Sequence, residues 1–316
     1  MASPILKPPE HQVAGHSAKN GQLGPLVDGR GLFYKPLQGD GRGDSELSFY
    51  AAFSSYPAIP PSIRSFFPAF HGTHLLPSSD GSGPRSHLAL DDLLAAFRSP
   101  SIIDLKIGAC TWPPDSPNDY FHKCIARDRE SASAALGFRV SGVQIQDPVS
   151  GADSFWRPLR SRVRVYSVEE TRRVLRQFVS TNSPSTDAKP DCALASVVYG
   201  GADGVLAQLQ EIKAWFEEQT LFHFYSASVL LIYEKDAAAA AVGRSSGVRV
   251  KLVDFAHVVE GNGIIDHNFL GGLSSLIKLL FEVLTDPEGD GWKSNKVHLS
   301  CNNGRSESNA SVLPST

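Results

Sequence analysis

The run "PSIIDLKIGACTW", residues 100–112, sets an aspartate and a lysine two residues apart inside an apolar stretch. In an extended chain alternate residues share a face, so Asp104 and Lys106 project together while Ile103, Leu105 and Ile107 project the other way. The fold must therefore offer this strand a core on one side. On the other side a carboxylate and an ammonium stand together. That pattern fits a surface ion pair on a half-buried strand, or a working pair beside a cleft. The rest of the chain decides between them.

A chain of 316 residues with 41% hydrophobic and 20% charged residues can bury a large core, in one big domain or two lobes. The formal net charge of -3 provides no global field toward nucleic acid, so no direct nucleic-acid binding is expected and any basic site must be local. Cysteines stand at 110, 124, 192 and 301 without a C-x-x-C pair, which reads as reduced thiols in an intracellular chain. The opening "MASPILKPPEHQVAGHSAKN" lacks an apolar signal core, and no run of about eighteen apolar residues occurs. Neither secretion nor a membrane span is expected.

Residues 1–24 are rich in Pro, Gly, His and Ser and read as a flexible tail. "GLFYKPLQ" reads as a strand, followed by the glycine-rich "GDGRGDS" and a helical "ELSFYAAFSSY". The glycines fit neither G-x-G-x-x-G nor G-x-x-x-x-G-K-[ST]. "RSHLALDDLLAAF" reads as a strand leading into a polar connection, and "SPNDYFHKCIARDRES" as a helix capped by its Asn and Asp, with Lys123 and Arg127 on one face. Ser167 and Glu170 form a capping box at the head of "SVEETRRVLRQFVS". "GVLAQLQEIKAWFEEQT" and "HNFLGGLSSLIKLLFEVLTD" are further helices; "SASVLLIYE" and "VRVKLVDFAHV" are strands. The low-complexity segment between those strands, residues 236–247, reads as a mobile loop, and residues 286–316 as a disordered tail. Strands and helices in this order give an α+β protein of two lobes, the smaller ending near Leu93.

Two further charges stand out. Asp254 shares a strand face with Val250 and Leu252, where an ionised carboxylate needs a cation or several donors. It is either a strand-end acceptor of backbone N–H groups or a Mg²⁺ ligand, since a hard cation prefers carboxylate oxygen. His257 follows three residues on. Lys35, inside an apolar strand, with Glu46 at the start of a helix, is the arrangement kinases use to hold nucleotide phosphates.

Three ordered boxes resemble the inositol polyphosphate kinases. "PSIIDLKIG" matches that family's P-x-x-x-D-x-K-x-G signature, "ASVL" stands where it shows Ser-Ser-Leu-Leu, and "VDFAH" where it shows Ile/Val-Asp-Phe-Ala. Ala227 and Val229 depart from the second box, and Asp91 stands where relatives often have Glu. "SFWRPLR" and "VVEGNGIIDHNFLGGL" look like the plant multikinase branch. The resemblance runs from about Lys35 to Asp286. It implies a two-lobed, protein-kinase-like or ATP-grasp-like fold, with a nucleotide lobe over 25–93 and a lobe carrying the inositol phosphate site over 94–285. It implies transfer of the ATP γ-phosphate, with Mg²⁺, to inositol tris- and tetrakisphosphates, toward the pentakisphosphate. By the same resemblance Lys35 and Glu46 serve the phosphates, and Asp91 and Leu93 serve adenine through backbone groups. Asp104 serves the ribose and Asp254 holds the metal. Arg42, Lys106, Lys123, Arg127 and His257 contact the inositol phosphate, with Asp104, Lys106 and Asp254 as the catalytic set. A monomer shared between nucleus and cytoplasm is expected. No H-R-D-x-x-x-x-N loop is present and no D-F-G is followed by A-P-E, which speaks against a protein kinase. A catalytically dead binder would have no need of a metal aspartate.

Overall fold

The computed structural model describes residues 5–15, 17–18, 23–147, 151, 154–186, 188–240 and 247–287. Its first sheet has four antiparallel strands, β1 (Leu26–Val27), β2 (Leu32–Pro36), β3 (Phe70–Pro77) and β4 (Pro84–Asp91), in the order β1-β2-β4-β3. Between β2 and β3 the chain forms α1 (Arg42–Ser55) and the short α2 (Pro61–Arg64). The turn into α1 is tight: a Cβ on Gly43 would stand 2.6 Å from the Gln38 carbonyl oxygen, so only glycine fits.

Residues 92–100 cross to the second sheet, anchored at both ends. The Asp92 N–H donates to the Gly31 carbonyl at 2.8 Å, and Glu234 accepts the Arg98 and Ser99 N–H groups at 2.6 and 2.7 Å. The second sheet is antiparallel in the order β10-β9-β5-β6-β7. Its strands are β5 (Ser101–Ile107), β6 (Phe138–Gln146), β7 (Phe155–Trp156), β9 (Ser228–Tyr233) and β10 (Arg249–Val253); β8 (Phe222–Phe224) and β11 (Val258–Glu260) pair separately. The helices are α3 (Asn118–Glu130), α4 (Ser133–Leu136), α5 (Arg160–Val163), α6 (Val168–Phe178), α7 (Ala195–Val198), α8 (Val205–Glu218), α9 (Lys235–Ala240) and α10 (His267–Thr285). α8 and α10 pack together, Phe216 stacking on Phe269 with ring centroids 4.4 Å apart. By length and composition α10 could cross a membrane, but its Phe269, Leu273, Leu276, Leu279, Leu280 and Val283 lie in the core.

Several expectations change. Strand β5 is flanked by β6 and β9 and buried on both faces, so Asp104 and Lys106 are not a surface pair. Strand β6, "FRVSGVQIQ", carries no alternating signal because all nine residues are buried. Asp254 lies just beyond β10, not within it. Helix α3 is preceded by Pro117 and has no side-chain cap, whereas the Ser167–Glu170 capping box is present as read. The segment expected as a mobile loop begins as helix α9, with Ala238 fully buried; residues 241–246 lie outside the described residues, as does the tail beyond 287.

The expected N-terminal tail is bound where it is described. Lys7 pairs with Val27 through two backbone hydrogen bonds of 3.0 and 2.8 Å. His11 then packs edge-on against Phe155, 5.3 Å between centroids, beside Gln144. The segment therefore runs from the first sheet to the second as a strap. It passes so close to β6 that a Cβ on Gly142 would meet the Val13 carbonyl oxygen at 2.2 Å. Gly142 pairs directly with Asp104, at the point where the β5–β6 register shifts. Overpacking costs about 1–3 kcal/mol, so Gly142→Ala is expected to lower the melting temperature by about 2–6 °C. In a chain lacking residues 1–18 the same substitution should be near neutral; an equal drop in both chains would show that the strap is not what Gly142 accommodates.

Candidate functional site

The cleft between the sheets is organised by one ammonium. Lys35 Nζ, on β2, donates to Glu46 Oε1 and to Asp254 Oδ1, each at 2.8 Å. Glu46, on α1, is 2% exposed, and the same Oε1 accepts the Phe255 N–H at 3.1 Å. Phe255 in turn packs among Phe49, Tyr50 and Phe67, with centroids 4.5, 5.4 and 5.2 Å away. This packing holds Asp254 in a left-handed conformation, φ 66°, which turns its carboxylate out of the β10 line. Burial works against charge on Lys35, but Asp254 and Glu46 outweigh it and raise its pKa. Burial likewise pushes Asp254 up, yet Lys35, with Lys106 behind it, holds the carboxyl down at about 2. The sequence required a cation for Asp254, and Lys35 is that cation.

The middle of β5 supplies the second part. Asp104 is 3% exposed, and its Oδ1 has no partner among the described residues; nor has Ser228 Oγ, from the neighbouring strand. Burial, then the charge of Asp254, push Asp104 up to about 6, against the pull of Lys106. Burial lowers the Lys106 pKa, opposed by Asp254. Lys106 Nζ donates to the Ser226 carbonyl at 2.5 Å, and Ser226 Oγ donates to the Thr111 carbonyl at 2.8 Å. At the crossing between the sheets, the Asp91 N–H is committed to the Ala69 carbonyl at 3.0 Å and its carboxylate to His71 at 2.7 Å. The Leu93 N–H, two residues on, has no partner among the described residues.

A third group lines the other end. Arg42 Nε donates to Asp40 Oδ1 at 2.8 Å, and both charges reach His257. Burial, then Lys106 and Arg42, hold His257 down at about 4, so its ring is neutral at ordinary pH. Asp40, Ser226 and Asp254, at φ 61°, 58° and 66°, place three strained non-glycine residues around this one cleft. Lys123 is exposed and Arg127 half-buried on α3; the structure does not bring them into contact with Lys106, and burial first, then the charge of Arg127, lowers the pKa of Arg139 and Arg164.

Sequence reasoning passed over Tyr120, Ser226 and Arg160. Tyr120 meets His257 across the cleft, and it lies three and seven residues before Lys123 and Arg127, the helical spacing that could have found it. Arg160, at the start of α5, acts electrostatically on both Asp104 and Asp254. Ser226 gave no signal, because its role falls to its backbone carbonyl.

Asp254 fits a hard cation. Its side chain is 39% exposed toward the cleft, and Lys35 occupies Oδ1. Among the described residues no cluster of three metal-binding side chains exists, so any cation here would draw most of its ligands from substrate phosphates.

The inositol polyphosphate kinase family model matches residues 87–281. The inositol polyphosphate multikinase IPK2 of Oryza sativa subsp. japonica is 60% identical over 286 residues, covering 89% of this chain and 95% of the rice protein. The multikinase beta of Arabidopsis thaliana is 52% identical over 288 residues, 90% of this chain and 95% of its own. A solved inositol phosphate multikinase superposes with a TM-score of 0.64 at 43% identity, over 76% of this chain and 99% of the other. The S. cerevisiae Ipk2 complex with ADP and Mn²⁺ shares the fold at a TM-score of 0.61 and 22% identity, over 80% of this chain and 99% of the other. With its two sheets, its Lys35–Glu46–Asp254 linkage and these relatives, the chain belongs to the inositol polyphosphate kinase family and is a kinase.

Proposed function

We propose that this kinase transfers the γ-phosphoryl group of ATP to ring hydroxyls of inositol tris- and tetrakisphosphates, working toward the pentakisphosphate, with Mg²⁺. The observation that carries the reading is Lys35 Nζ bridging Glu46 and Asp254 within one cleft that also holds Asp104 and Lys106. Lys35 stays charged at any working pH and serves the nucleotide phosphates. Glu46 fixes its position, and Asp104 accepts from ribose hydroxyls. The free Leu93 N–H and the Asp91 carbonyl suit the adenine edge, the Asp91 N–H being taken by Ala69. Asp254 and the nucleotide phosphates hold the Mg²⁺, which supplies charge neutralisation on the transferring group. Lys106 and Arg42 anchor acceptor phosphates while neutral His257 hydrogen-bonds to them; Lys123 and Arg127 extend the basic wall along α3. A loose transition state needs positioning and charge more than a strong base. A pure binding protein is the second reading, but it has no use for the assembled Lys35–Asp254 pair.

Incubation with ATP, Mg²⁺ and inositol trisphosphate is expected to yield more highly phosphorylated products; binding without turnover would favour the second reading. Asp254→Ala should cut turnover at least ~100-fold, because metal-supplied charge stabilisation amounts to several kcal/mol. Near-normal turnover in saturating Mg²⁺ would remove Asp254 from its role. Lys106→Ala should lower kcat/KM for the acceptor about ten- to a hundred-fold, one charge-assisted contact, with little change in the KM for ATP.

The buried Asp104 gives a pH test without substrate. A carboxyl whose folded pKa, about 6, exceeds its ordinary 3.8 destabilises the fold when ionised. The penalty is absent well below 3.8, grows through that window and is complete above 6, at about 3 kcal/mol. Asp104→Asn is therefore expected to raise the melting temperature at pH 8 and to lose most of that gain by pH 4. A gain independent of pH would show that Asp104 is not ionised in the fold.

A further inference from the structure

His257 has two ring nitrogens, and one is taken. The Tyr120 hydroxyl lies 3.0 Å from Nε2, and the two rings stack at 29° with centroids 5.3 Å apart. Nδ1 has no partner among the described residues. The His257 backbone is held as well, its carbonyl accepting the Tyr225 N–H at 3.3 Å. The neighbouring Ser226 carbonyl takes Lys106, and the Ser226 side chain approaches the Tyr120 hydroxyl. One phenol thus joins α3, the turn that orients Lys106 and the turn that carries His257.

The direction of that hydrogen bond decides what the ring can do. Burial and the adjacent Cys124 push the phenol up to about 12, so it keeps its proton. The imidazole, facing Lys106 and Arg42 with Asp40 and Asp254 beyond, carries a single N–H. If Nε2–H donated to the phenol oxygen, Nδ1 would turn a bare lone pair toward the phosphate oxygens of the acceptor, which repel it. If the phenol donates to Nε2, the ring proton sits on Nδ1 and becomes a donor toward those oxygens. Resting on the acceptor site proposed above, we propose that Tyr120 is a positioning residue. Its O–H donates to His257 Nε2, fixes the Nδ1–H tautomer and thereby aims an N–H donor at an acceptor phosphate.

Tyr120→Phe keeps the stacked ring and removes only the hydroxyl. The first measurement is the imidazole ¹⁵N spectrum of the unliganded full chain, with His257 assigned by its loss in His257→Ala. In the wild type Nε2 is expected to resonate as an unprotonated acceptor, and in Tyr120→Phe the ring should shift toward the Nε2–H form. The second is kinetic. Tyr120→Phe should raise the acceptor KM about 5- to 20-fold, the scale of one hydrogen bond, while the KM for ATP stays fixed. In a His257→Ala background the same change should move the acceptor KM less than twofold, because Tyr120 acts through His257. A wild-type ring protonated on Nε2, or an equal penalty with and without His257, overturns the proposal. If Tyr120→Phe proves too unstable to assay, the wild-type spectrum alone decides the tautomer. If the spectra behave as expected but His257→Ala leaves the acceptor KM untouched, the acceptor-site reading falls while the bond between the two side chains stands.

Discussion

Everything at the cleft depends on one buried carboxylate oxygen. Glu46 Oε1 receives the Lys35 ammonium at 2.8 Å from the first sheet and the Phe255 N–H at 3.1 Å from the turn after the second. A carboxylate 2% exposed is tolerable only because both donors reach it. Losing either would leave a poorly compensated charge in the core. The three segments β2, α1 and the Asp254–Phe255 turn are therefore locked to one another, and their separate sequence positions count for nothing in the geometry that results. The aromatic packing of Phe255 against Phe49, Tyr50 and Phe67 supplies the rigidity that the strained Asp254 backbone requires.

Much of this was legible in the sequence, for a definite reason. Lys35, Asp104 and Lys106 are charges set in apolar strands and Asp254 directly follows one, and a charge in such a place must find a partner or a task. Helices α1, α6, α8 and α10 carry enough apolar residues per turn to declare themselves, and Ser167 with Glu170 marked a helix start that the structure keeps. What escaped notice lacked such contrast. Strand β6 is buried on both faces and shows no period, and β3 is largely exposed. The strap over residues 5–15 reads as disordered by composition because it owns no core of its own. It is ordered by borrowing Phe155, Gln144 and the bare backbone at Gly142. Tyr120 stands beside Phe121 on an otherwise polar helix with nothing local to single it out, and only the fold brings it to His257.

Charge is distributed locally against a nearly neutral whole. A net charge of -3 conceals a cleft whose free cations, Lys106 and Arg42, are held by a backbone carbonyl and an exposed carboxylate. Both partners are easily exchanged. A carbonyl offers no net charge, and an exposed aspartate loses little when water replaces its arginine. By contrast Arg139 is matched to Asp128 deep in the fold, with both side chains 3% exposed. The molecule separates cations committed to structure from cations left available to an anion.

The Lys35–Asp254 contact carries this logic to the nucleotide end. In the reading proposed, a phosphate group and a metal ion are to sit where these two side chains now touch. Lys35 would gain phosphate oxygens and Asp254 would gain a cation, so each would meet a charge of the sign it faces already. Without ligand, the direct 2.8 Å pair supplies that compensation internally. Glu46 keeps its hold on Lys35 throughout, through an oxygen that no ligand needs to reach. Binding can then exchange one ion pair for two without leaving any buried charge uncompensated on the way, and the aromatic packing beneath Phe255 need not move.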